Sequence, residues 1–116
     1  MKKLDWKPTT VEECMKAFNE MLTPEEQVQM TKMSKDELGM MHHGLGQYIR
    51  NNWELWQEDK PLCMHLKALG FQHADDMSMS LIHEWWARMN NLPSTMEEEL
   101  KEYAAFWERS KKEHGR

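Results

Sequence analysis

At four places along this chain a Ser or Thr stands three residues ahead of a Glu at the head of an apolar-periodic run: Thr10 with Glu13, Thr23 with Glu26, Ser34 with Glu37 and Ser94 with Glu97. A hydroxyl in that place can accept a hydrogen bond from a free first-turn amide, while the Glu carboxylate reaches back to the cap residue's own N–H, so each pair predicts the start of a helix. Behind Thr10, the residues Val11, Cys14, Met15, Phe18, Met21 and Leu22 recur at the spacing of one helix face. Thr23-Pro24-Glu25-Glu26 starts a short second helix to about Met33, with proline where its missing N–H is not needed. Pro61 opens a fourth helix that turns Leu62, Leu66 and Leu69 inward, Gly70 stops it, and Phe71 folds back on its last turn. Asp75 or Asp76 caps a fifth helix with Leu81, Ile82, Trp85, Trp86 and Met89 on its buried side, and Asn90, Asn91 and Pro93 end it. Met96, Leu100, Tyr103, Ala104 and Trp107 give the sixth its stripe. No stretch alternates as a strand does. The expected fold is all-α: a single-domain irregular or orthogonal bundle of about six helices over 1–116. Residues 1–9 form an N-terminal arm pinned by Trp6, the sixth helix lies across the rest as a lid, and 110–116 is a charged tail.

The third helix, launched at Ser34, carries the least ordinary segment, HHGLGQYIRNNWELW from His42 to Trp56. Leu38, Met41, His42, Leu45, Tyr48, Ile49, Asn52 and Trp56 fall on one stripe, expected to face the core. Gly39, His43, Gly46, Arg50 and Trp53 fall on the stripe beside it. Three glycines in one helix (Gly39, Gly44 and Gly46) each cost about 1 kcal/mol against alanine, so a close approach of another backbone or a ligand is expected to compensate. The helix should end near Asn51 and Asn52, leaving Trp53 to Trp56 as a tight aromatic turn.

Charge narrows the function classes. Fifteen Lys and Arg against twenty Asp and Glu give a net charge of -5, which opposes phosphate backbones and anionic membranes, so direct nucleic-acid binding is disfavoured. No apolar run is long enough to span a bilayer and no apolar signal segment follows the start, so a cytoplasmic protein with no membrane partner is expected. The cysteines Cys14 and Cys63 lack any paired spacing and read as reduced, buried thiols. Twelve methionines and six tryptophans suit both gap-filling in a small helical core and an adaptable binding surface.

Five histidines, His42, His43, His65, His73 and His83, are the candidates for metal chemistry, but none forms the i, i+4 pair of a helical zinc site, and the adjacent His42 and His43 should point apart. No metal and no cofactor is expected. His43, His73, Asp75 and Asp76 could converge as a phosphohydrolase-like cluster, although helix capping accounts for the same aspartates without a ligand. Arg50 with Asn51 and Asn52 could clamp a carboxylate or phosphate, or anchor a protein interface; alternatively Arg50 pairs with a carboxylate of the 73–76 turn, which would set the two segments side by side. No nucleophile elbow or phosphate-binding glycine loop is present, so an enzyme is not expected.

The strings GLGQYIRNNWELW and HADDMS, separated by a short helix ending in Leu-Gly-Phe, resemble a family of small uncharacterised bacterial and phage proteins with GLG-x-[WY]-IRNN-x-LW-like and H-x-DDMS-like blocks. The resemblance covers roughly residues 10 to 108 and matches Gly44, Gly46, Ile49, Arg50, Asn51, Asn52, Trp53, Trp56, His73, Asp75, Asp76, Met77 and Ser78; Ala74 departs from the proline common there. It implies the fold and a surface but no activity. The expected function is a small non-enzymatic binding protein, a phage- or mobile-element-type accessory such as a host-defence antagonist or immunity-like inhibitor, that occludes a protein partner. The binding set would be His43, Arg50, Asn51, Asn52, Trp53, Trp56, His73, Asp75 and Asp76. The alternative is a small-molecule or nucleotide site on Arg50, Asn51, Trp53 and His73, lined also by His43.

Overall fold

Two of the four start signals act as whole capping boxes. Thr23 Oγ1 accepts from the Glu26 amide while Glu26 Oε1 accepts from the Thr23 amide, and Ser34 and Glu37 make the same reciprocal pair. Thr10 caps the first helix by accepting from the Glu13 amide, but the Glu13 carboxylate reaches one residue further back, to the amide and hydroxyl of Thr9. Ser94 and Glu97 form no box: the Ser94 hydroxyl donates to Glu84 Oε1 instead.

The computed structural model describes residues 1–113. Its α-helices are α1 (Val11–Met21), α2 (Pro24–Lys32), α3 (Gln47–Asn52), α4 (Pro61–Leu69), α5 (Ala74–Met89) and α6 (Met96–Glu113). All regular structure among the described residues is helical, as the periodicity predicts. α6 continues to Glu113, so the first part of the expected charged tail is helix; residues 114–116 of that tail lie outside the described residues.

The long third helix is the main departure. A five-residue 3-10 helix (Glu37–Met41) runs into a five-residue π-helix (His42–Gly46) before α3 begins. A 3-10 turn holds fewer residues than an α-turn and a π-turn holds more, so the sequence stripe is rephased across this segment. Leu38, Leu45 and Ile49 stay buried as expected, but Gly46, Arg50 and Trp53 also turn inward, while Asn52 and Trp56 face solvent. Past Asn52 the expected turn forms, with Glu54 at φ 59°, a left-handed conformation that closes it.

α5 is the central rod, packing against α1, α2, the π segment, α3 and α6. Phe18 of α1 sits between Trp53 and Trp85, with ring centroids 5.1 and 6.3 Å away. Each fully buried Phe, Leu or Ile here contributes on the order of 1.5–3 kcal/mol by leaving water. The Trp85 indole donates to Asn19 Oδ1 and the Trp86 indole to the Met33 carbonyl, so both polar edges in this region have partners. Gly70 at φ 121° ends α4 and Phe71 folds back, its amide on the Leu66 carbonyl. Leu69 and Met89, expected inside, are exposed, because each is the last residue of its helix and lies past the packed turn. The arm is pinned as expected: the Trp6 indole donates to Glu20, Lys16 lies over its ring, and Pro8 is buried.

Candidate functional site

The two unusual segments do meet. Arg50, 4% exposed, reaches from α3 to the first turn of α5. Its Nη1 donates to Ser78 Oγ at 2.8 Å and its Nη2 to the His42 carbonyl at 2.9 Å. Nε lies 3.4 Å from Asp75 Oδ1 but out of line for a hydrogen bond, and is buried without any other partner. Ser78 Oγ in turn donates to the Asp75 carbonyl. The Arg50 guanidinium is thus a tie between the π segment and α5, with its donors turned inward.

Gly46 explains how the tie fits. A Cβ there would lie 3.0 Å from Arg50 Nη1 and 3.1 Å from the Met41 carbonyl. The close approach expected of three glycines is therefore real at Gly46 and missing at Gly39 and Gly44, around which there is open space. Asp75 and Asp76 do not cap α5. Its N-cap residue is His73, with no side-chain cap bond, and the two aspartates turn to other partners, Asp75 to Arg50 and Asp76 to α6. The rings of His42 and His43 do not point apart but meet edge-on at 4.8 Å, since the π-turn alters the angle between neighbours.

The rest of the predicted set divides by exposure. Trp53 is buried against Phe18 and unavailable to a partner. Asn52 donates to the Tyr48 carbonyl, and Asn51 Oδ1 accepts from the Trp56 indole, which leaves the Trp56 ring 59% exposed. His43 is exposed.

The second half of the set has a partner that sequence reasoning assigned only to packing. Trp107 of α6 stacks on His73 with ring centroids 3.6 Å apart, and its indole N–H donates to Asp76 Oδ2 at 2.9 Å. Phe106, 51% exposed, stands at 88° to Trp107 with centroids 4.8 Å apart. Beside them is an open cleft of about 530 Å³, lined by Asp76, Glu102, Tyr103, Phe106, Trp107 and Arg109 with Ala105. Burial pushes the Tyr103 phenol up to about 12, and the carboxylates of Glu99, Asp76 and Glu102 add in the same direction. Only the tertiary fold brings Trp107 to His73, so no local signal could have paired them.

α6 is anchored by Glu99, whose buried carboxylate accepts from Ser80 Oγ at 2.5 Å, Thr95 Oγ1 at 2.6 Å and Lys35 Nζ at 2.9 Å, with His83 Nδ1 at 3.1 Å. Against the desolvation that would raise it, these four partners hold the Glu99 carboxyl down at about 2. The cleft wall thus rests on a fixed base.

The sequence model of a domain of unknown function, DUF6794, matches residues 7–89, which takes in both sequence blocks and α1 to α5. The chain belongs to the DUF6794 family. No curated protein and no solved structure matches it. In this DUF6794 chain the Arg50 tie lies wholly within the matched span, whereas Trp107, Phe106 and Glu99 lie beyond it. The aromatic cleft therefore joins a family residue, Asp76, to a helix outside the family match. Among the described residues, no three His, Cys, Asp or Glu side chains are grouped to hold a metal ion, and no helix is long and apolar enough to cross a membrane.

Proposed function

We propose that this chain is a non-catalytic binding protein that docks a protein partner against the start of α5 and the outer side of α6, covering a functional surface of that partner. The observation that carries the reading is the setting of Trp107, stacked on His73, bonded to Asp76 and flanked by the exposed ring of Phe106. An aromatic ring held from the face and the edge loses little freedom on binding, which is what a hot-spot anchor requires. With a net charge of -5, the molecule suits a basic partner surface. In this reading it acts as an accessory of the phage or mobile-element kind, a host-defence antagonist or immunity-like inhibitor. Burial of Arg50 and Trp53 weighs against a nucleotide seated on Arg50, Asn51, Trp53 and His73.

The test is photo-crosslinking with benzoylphenylalanine placed at Phe106 and, as a control on the far helix, at Val28. The expected result is one discrete protein adduct from position 106 that Trp107→Ala abolishes. Identical adducts from both positions, or an adduct indifferent to Trp107→Ala, would sink the reading.

A further inference from the structure

We infer that the cleft between α5 and α6 is a receptor for a guanidinium side chain, so that an arginine of the partner inserts beside Trp107 and Phe106 and is neutralised by Asp76 and Glu102. This rests on the docking reading above and names the chemistry of its anchor.

Three features of the cleft point to a planar cation. Its walls include three aromatic rings, those of Tyr103, Phe106 and Trp107, and the last two meet at 88°, a corner that offers a ring face together with a ring edge. Guanidinium groups stack on such faces, where the ring quadrupole attracts positive charge and the flat delocalised ion is weakly hydrated. Two carboxylates, Asp76 and Glu102, line the same cleft. Asp76 spends Oδ2 on the Trp107 indole, while Oδ1 has no protein partner among the described residues and is free to accept from an incoming fork of N–H donors. The Tyr103 phenol is raised first by burial, and the carboxylates of Glu99, Asp76 and Glu102 add in the same direction by disfavouring a further negative charge at that point. Arg109 lines the cleft as well, seven residues beyond Glu102 and two beyond Trp107. The lining therefore carries two carboxylates against one guanidinium.

An occupant that is apolar throughout would leave Asp76 and Glu102 desolvated without a partner, and an anion would meet them directly. A cation with a flat face meets neither penalty.

The experiment is an NMR titration of the full chain with N-acetylarginine amide, and in parallel with N-acetylcitrulline amide, its neutral isostere. The arginine probe should move the Trp107 indole N–H resonance in a saturable way that weakens as salt is raised, and the citrulline probe should not. Asp76→Asn with Glu102→Gln should weaken the arginine response roughly tenfold, since asparagine keeps an acceptor for the Trp107 indole while charge is lost. Phe106→Leu, which keeps apolar bulk and removes the ring, should weaken it without changing charge. Equal response to both probes, an unchanged response in the double variant, or no response to arginine overturns the assignment. The two readings separate cleanly: a partner that still crosslinks at position 106 in the double variant keeps the docking face and removes the arginine anchor, whereas arginine binding with no crosslinked partner does the reverse.

Discussion

Arg50 and Glu99 are both charged groups buried against α5, and they are held in opposite ways. Glu99 is surrounded by four donors, from Ser80, Thr95, Lys35 and His83, and stays ionised far below the ordinary carboxylate range. Arg50 has two good acceptors, the Ser78 hydroxyl and the His42 carbonyl, and one poorly aligned acid, Asp75, whose side chain is 56% exposed. The first is a saturated knot, the second a partly satisfied tie. A buried charge is tolerable only when its partners replace water, so Glu99 should behave as a structural fixture, and Arg50 as a positioning strut with slack on its Asp75 side.

The contrast is broken or sharpened most by deletion. Glu99→Ala leaves the Ser80 hydroxyl and the Lys35 ammonium facing an empty site and should cost about 3–5 kcal/mol in urea unfolding. Arg50→Met keeps most of the side-chain volume and orphans two neutral groups, so about 1–3 kcal/mol is expected. A reversed order would mean that Arg50 is the better-compensated charge. Gly46→Ala comes next. It forces the guanidinium and the Met41 carbonyl apart and should destabilise by about 1–3 kcal/mol, while Gly44→Ala, in open space, should stabilise by up to about 1 kcal/mol. The same contrast can be read again in acid. The Glu99 pKa is lowered in the folded state, so its contribution is complete above its ordinary 4.5 and is lost as pH falls toward about 2. Unfolding free energy should drop across that window in wild type and drop less in Glu99→Gln, followed by circular dichroism in urea.

The sequence carried the helices well because their starts are local chemistry: Thr10, Thr23 and Ser34 cap where the spacing to Glu13, Glu26 and Glu37 says they should. The meeting of Arg50 with the 73–76 turn was legible as a demand that a buried guanidinium find a carboxylate. What escaped was phase. The stretch from Glu37 to Gly46 departs from α geometry twice, and only its glycines hinted at that, so Trp53 and Trp56 exchanged places between core and surface. Trp107 escaped for a different reason. Its spacing marks a packed stripe, and the partner it packs on is a histidine 34 residues away at the mouth of another helix.

Gly46 and Arg50 also bind each other's evolutionary futures. A methyl group at 46 and a guanidinium at 50 contend for one small volume, with the Met41 carbonyl closing the other side. A side chain can enter at 46 only once the guanidinium has given way, whereas Arg50 can shorten with Gly46 in place at the cost of the tie, so a lineage leaving this pair must lose the arginine first and cross a weakened intermediate, or alter both at once.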